Sequence, residues 1–299
     1  MTRMLRIIYL VGLGLGITWL VATRWSEVAE LVQGARISLL VAALIASFGM
    51  IVIGAWFWTT GLATLGHRAE LGVVVHATSR SLLARYVPGS VWFAVGRVTL
   101  LRKAGLPGGP LTATAVLEMA LSLAAVLAFG SAILGATGAF PGGTVWLVAV
   151  LVPLVVGSSP PIAGRILRWL AERRGASLTL GWSGYLRLIS ITMIFWSWSA
   201  LTFSLYLRAF PIADPIGSLL MAGGFILAWG VGFLSIIAPQ GVGVFEIALG
   251  TLFEVDDVAN FAVVIGGYRL VILARDLIAT AFSEFIASRS ARPESVPTD

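Results

Sequence analysis

Residues 85–107 read RYVPGSVWFAVGRVTLLRKAGLP. The stretch carries Arg85, Arg97, Arg102 and Lys103, two prolines and three glycines, and it lies between long apolar runs. Hydrocarbon offers no hydrogen bonds, so broken backbone at membrane depth survives only against protein or beside a water-filled cavity. One reading therefore has a helix ending near Pro88-Gly89 and another starting near Ser90, a hairpin folded into a membrane bundle. A helix N-terminus there would offer free amides to an anion, with Arg85 and Arg97 beside it. The plain alternative is a cytoplasmic surface loop whose arginines follow the positive-inside rule.

Composition favours lipid as the solvent. Of 299 residues, 58% are hydrophobic and 11% charged, with a mean hydropathy of +0.96. Soluble domains are about 45–50% apolar and about 25% charged. Residues 111–163 contain one formally charged side chain, Glu118. Runs of about 20 apolar residues cross a bilayer as helices, and these lack the alternation of barrel strands. Apolar spans fall at 7–23, 37–65, 111–137, 145–158, 188–207, 216–238 and 258–288, with interrupted apolar pieces at 76–104 and 241–255. The expected fold is all-α: a polytopic membrane helix bundle of about seven or eight crossings with two interrupted or re-entrant segments. Residues 1–288 form a single integral membrane domain, with halves near 1–160 and 180–288. The polar tail 289–299 reads as disordered.

The net charge is +6, but the basic residues sit in short loops, so topology explains them better than nucleic acid does. Basic loops at 2–6, 67–103 and 165–187 place the N-terminus in the cytoplasm, in a bacterial or archaeal inner membrane. Residues 161–175 read as an amphipathic surface helix. The chain has no cysteine and two histidines, His67 and His76, too few ligands for a zinc site. No metal and no cofactor is expected. No nucleotide or hydrolase motif is present, and the chain is expected not to be an enzyme. The eleven tryptophans, among them Trp56, Trp58, Trp196 and Trp198, read as interface anchors, as do Tyr86 and Trp92.

A second broken segment, APQGVGVFEIAL at 238–249, places Pro239, Gly241 and Gly243 in apolar sequence, with Glu246 following. Interrupted segments in two halves of a membrane protein point to a binding site between them. The letters match weakly, and the hand of any repeat stays open. Simple counting of crossings puts both segments on the cytoplasmic side, and an extra crossing near residues 241–255 would change that.

Ionisable groups inside the spans are the other signal, because each costs roughly 2.5–3.5 kcal/mol at mid-membrane and needs a partner. Thr114, Glu118 and Ser122 share a helix face, as do Asp276, Thr280 and Glu284. Arg269 is placed to neutralise Glu246 or Glu118, or to hold a phosphate. For Asp276 a structural ion pair is an equal reading. Glu118, Glu246 and Arg269 are expected to converge on one polar cavity.

YVPGSVWFAVGRVTLLRKAGLP, AVLEMAL, APQGVGVFEIAL and GGYRLV together resemble the transmembrane domain of the lysylphosphatidylglycerol synthase/flippase family. The resemblance covers nearly the whole chain in layout and short motifs in letters. It implies that Pro88, Gly89, Arg97, Glu118, Pro239, Gly241, Gly243, Glu246 and Arg269 belong to a lipid-handling site. Two positions depart from it: Met119 and Phe245 stand where family members often carry arginine. The aminoacyltransferase domain of bifunctional members has no counterpart here, so synthesis of an aminoacyl lipid is not expected. The implied activity is translocation of a polar-headed lipid or lipid-linked sugar between leaflets. The alternative is a membrane-embedded transferase on polyprenyl-phosphate lipids, or an accessory subunit of envelope glycolipid assembly. The expected partners are the bilayer, a membrane lipid or lipid-linked glycan, and a second copy in a homodimer.

Overall fold

The computed structural model describes residues 33–86, 92–139, 180–234, 241–255 and 258–290, with isolated positions at 29, 159, 161–162 and 164–165. These contain eight α-helices: α1 (Ile37–Thr64), α2 (Leu71–Ser81), α3 (Trp92–Lys103), α4 (Gly108–Ala136), α5 (Trp182–Leu207), α6 (Ser218–Leu234), α7 (Val244–Leu252) and α8 (Val258–Ser290). Short 3-10 turns occupy Leu82–Tyr86 and Pro211–Ala213, and no strand occurs among the described residues. The protein is a helical membrane bundle. Helices α1, α4 and α5 are long and apolar enough to cross a membrane, with windows of mean hydropathy 2.5, 2.1 and 1.5. The expected spans at 7–23 and 145–158, most of the surface helix at 161–175, and the tail beyond residue 290 lie outside the described residues.

Small residues decide how the long helices meet. On α5, a β-carbon at Gly184 would overlap the Thr64 methyl of α1. At the other end of this pair the Trp198 ring covers Gly49, and its indole N–H donates to the Ala46 carbonyl at 2.7 Å. The order of these contacts makes α1 and α5 antiparallel. Helices α4 and α6 are antiparallel by the same test. Gly130 lies against the Leu227 backbone, Gly223 against Ile133 and Gly230 against Val126. Close approach of this kind replaces the hydrophobic effect as the source of cohesion in lipid.

These pairings sort the chain into two ends. One holds the C-termini of α1 and α3 and the starts of α2, α4 and α5, and it carries Arg68, Arg102, Lys103 and Arg187. The other holds the starts of α1, α6 and α8. There the Arg36 amide donates to the Ala209 carbonyl at 2.8 Å, and Arg36 lies 3.8 Å from Asp214.

The two interrupted segments are pairs of antiparallel helices whose outer ends lie at opposite ends of the bundle. The first is α2, its 3-10 turn, and α3, with Gly96 packed on Ser81 and Ala84. It starts and finishes at the basic end, where Gly105, at φ +90°, closes α3. The second is α6 and α7. Gly241 would place a β-carbon 2.6 Å from the Gly232 Cα, and Gly224 faces the Phe253 ring. Helix α6 ends four residues past Gly230, near the midpoint of α4. Trp92, at the tip of α3, lies 11 residues or about 16 Å above Lys103. The described ends of α3 and α6, at Trp92 and Leu234, therefore fall near mid-height. Counting crossings leaves two arrangements, both segments on one side or, with an extra crossing near residues 241–255, on opposite sides; the antiparallel packing of α4 and α6 gives the second. Pro88, Gly89 and Pro239 lie outside the described residues.

Candidate functional site

Ion pairs tie the hairpins to the long helices, and three carboxylates, Glu118, Glu246 and Asp276, anchor the buried ones. The first joins α3 to α4. Arg97 Nη1 donates to both Glu118 oxygens, at 2.9 and 3.1 Å, and the Trp58 indole N–H donates to Oε2 at 2.9 Å. The Arg97 guanidinium lies over the Phe93 ring at 4.2 Å and the Trp58 ring at 4.8 Å. Arg97 is 2% exposed and its Nε finds no hydrogen-bond partner. An unmatched buried donor costs about 1–3 kcal/mol, and this N–H, beside the Phe93 and Trp58 rings, is left without an acceptor among the described residues. Helix α4 positions Glu118 on the face of Thr114, which is fully buried and meets Gly61 of α1.

The second pair belongs to the other hairpin. Glu246 divides its carboxylate. Oε2 accepts the Gly243 amide at 2.7 Å, and Oε1 accepts Arg269 Nε of α8 at 2.8 Å. Gly241 and Gly243, at φ +66° and +86°, supply the turn that starts α7. This is left-handed backbone that a side chain would strain. The same carboxylate therefore caps a helix and holds a cation.

The third pair was only half visible in sequence. Asp276 is fully buried, and Arg275 beside it is 1% exposed. Asp276 Oδ1 accepts from Arg275 Nε and Nη2 at 2.8 and 2.5 Å. Its Oδ2 accepts the Tyr86 hydroxyl at 2.9 Å, with Arg85 Nε at 3.6 Å. Arg275 also donates to the Ser47 carbonyl at 3.2 Å, which fixes α8 against α1. Arg85 lies 4.7 Å from the Phe93 ring centre. Phe93 thus links the Arg97–Glu118 pair to the Arg85–Asp276 pair.

The structure brings the expected residues together in pairs. Glu118 takes Arg97, Glu246 takes Arg269, and Asp276 takes Arg275 with Arg85 nearby. The stripe Asp276, Thr280, Glu284 faces the first hairpin. Thr280 donates to the Ser79 carbonyl at 2.8 Å, and Arg80 donates to Glu284 at 2.5 Å. His76 shares a 2.6 Å hydrogen bond with Ser283. No metal-binding group occurs among the described residues. Trp58 and Trp196 are 0% and 2% exposed, so they are core residues and not interface anchors. Trp58 serves a buried carboxylate, and Trp196 packs on Trp229 at 4.5 Å. Tyr86 likewise serves Asp276. Arg275, Phe93 and Trp58 were missed as site residues. Arg275 carried a signal, a second charge beside Asp276 in an apolar run; the two aromatics carried none.

The family model for the lysylphosphatidylglycerol synthase TM region matches residues 7–278. The chain belongs to this family. A search of the curated proteins returned no match. The three pairs lie within the matched residues. The protein is a membrane protein of lipid handling. Phe245, at one of the two departures from the family pattern, is buried and lies 5.5 Å from the Arg269 guanidinium. An aromatic face stands there in place of a second cation.

Proposed function

We propose that the protein translocates a polar-headed lipid, a phospholipid or a lipid-linked sugar, between the leaflets. The observation that carries this reading is the placement of Arg97–Glu118 and Arg269–Glu246 at the mid-height breaks of two oppositely directed hairpins. Oppositely directed broken helices with ionisable groups near the midplane are the arrangement of membrane transporters. Both hairpins are read as re-entrant. A flippase must shelter a head group while the acyl chains stay in lipid. Arginine suits phosphate because its planar fork makes parallel charge-assisted hydrogen bonds. Arg97 Nε is the donor that a phosphate oxygen would complete, and Glu118 balances the arginine between substrates. The basic end is read as cytoplasmic. The chain is read as a translocator and not an enzyme.

Reconstitution tests this. Liposomes containing the purified chain should move head-group-labelled phosphatidylglycerol between leaflets faster than empty liposomes, as read by quenching of outer-leaflet label. Glu118→Gln, folded by gel filtration, should lose most of the increase. Equal rates with and without protein, across anionic, zwitterionic and glycolipid head groups, would reject translocation.

A further inference from the structure

A groove of about 920 Å³ runs along the outside of the α1–α5 pair. We propose that it is a binding site for one anionic phospholipid, separate from the ion-pair site. Trp56 lines the groove, whereas Trp58 faces Glu118. Residues two apart on a helix point about 200° apart, so α1 separates the two places.

The lining is what distinguishes this face from an ordinary lipid-facing one. Thr60 and Thr64 from α1 and Ser183, Arg187 and Ser190 from α5 place polar side chains along it; Thr64 and Ser190 donate to the Thr60 and Leu186 carbonyls of their own helices, so Arg187 supplies the charged donor. Their helices are otherwise apolar enough to cross a membrane. Arg187 is the single charged lining residue, and it faces no carboxylate among the described residues. Charge complementarity therefore selects an anion. The polar side chains lie toward the basic end, where α5 begins. Leu186, Ile191 and Ile194 continue the groove toward mid-height, Ile194 lying about 18 Å along the helix from Trp182. A phosphate at Arg187 with an acyl chain along Ile191 and Ile194 matches this order. The volume lies within the range of about 300–1,000 Å³ usual for small-molecule sites and suits a head group with the first part of its chains.

The test uses the full chain in nanodiscs of phosphatidylcholine doped with a photoactivatable phosphatidylglycerol carrying the reactive group in its tail. Cross-links should concentrate on residues 56–63 and 186–194. Unlabelled phosphatidylglycerol should compete about tenfold better than phosphatidylcholine. Arg187→Ala should remove that preference and Arg187→Lys should keep most of it. Ser190→Phe should fill the groove and abolish the cross-link; if it fails to fold, the Arg187 pair decides alone. Equal labelling of the outward positions Val41 and Leu201 would overturn the proposal by showing annular lipid only. Competition by free glycerol phosphate as strong as by the lipid would also overturn it, showing a site for soluble phosphate. A wild-type chain that gives no translocation above empty liposomes while the cross-link is intact would reject the flippase reading and leave this site standing.

Discussion

Arg97 shows how one side chain is held in an apolar bundle. It is flanked by two aromatic rings and bonded to Glu118 through one nitrogen. Removing one partner of a buried pair leaves the other charge uncompensated, at a cost on the order of 3–5 kcal/mol. Arg97→Met should therefore lower the thermal unfolding midpoint sharply. The double variant Arg97→Met/Glu118→Gln should recover part of the loss, because no bare charge remains. Additive losses would show that the two side chains do not depend on each other. Glu246 differs because it also accepts the Gly243 amide. Glu246→Gln keeps an oxygen for that bond and loses the charge facing Arg269. Translocation should fall well beyond any fall in folded yield. A wild-type rate would make this carboxylate architectural.

Helical hairpins need tight turns, and the two glycines of the second turn serve it differently. At Gly241 a β-carbon would strike the backbone of Gly232; at Gly243 it would meet nothing within 4 Å. Gly243→Ala should cost about 1–2 kcal/mol, from left-handed backbone alone. Gly241→Ala should cost more, because α6 and α7 must also separate. Thermal unfolding of the two variants in one detergent checks the order, and the reverse order would contradict the packing. The interface between α2 and α8 is graded in the same way. Arg80–Glu284 is solvent-accessible, with side chains 35% and 51% exposed, so Glu284→Gln should cost at most about 1 kcal/mol. Asp276→Asn, fully buried among Arg275, Tyr86 and Arg85, should destabilise far more.

At the scale of the whole molecule, the antiparallel pairings predict sidedness. Because the chain has no cysteine, single cysteines report cleanly. Substitutions Arg68→Cys, Lys103→Cys and Arg187→Cys should label from one face of the membrane, and Thr137→Cys and Asp214→Cys from the other. Labelling of all five from one face would refute the bundle.

The sequence by itself determined the helices and the residues that had to be paired. Spans at 37–65 and 111–137 appear as α1 and α4 within a few residues, because apolar length and composition are local properties that the bilayer selects directly. Glu118, Glu246, Arg269 and Asp276 stood out because an ionisable group in hydrocarbon carries a cost that any fold must meet. Arg269 was legible as a partner for Glu246 or Glu118, and the structure pairs it with Glu246; the partners of Glu118 and Asp276 were not legible. Arg97 lies 21 residues from Glu118, Tyr86 lies 190 from Asp276, and only helix packing brings them within reach. The opposite entry of the two hairpins was likewise decided by tertiary structure. It follows from small residues closing α1 on α5 and α4 on α6, and such surface complementarity between distant helices leaves no periodic mark in either one.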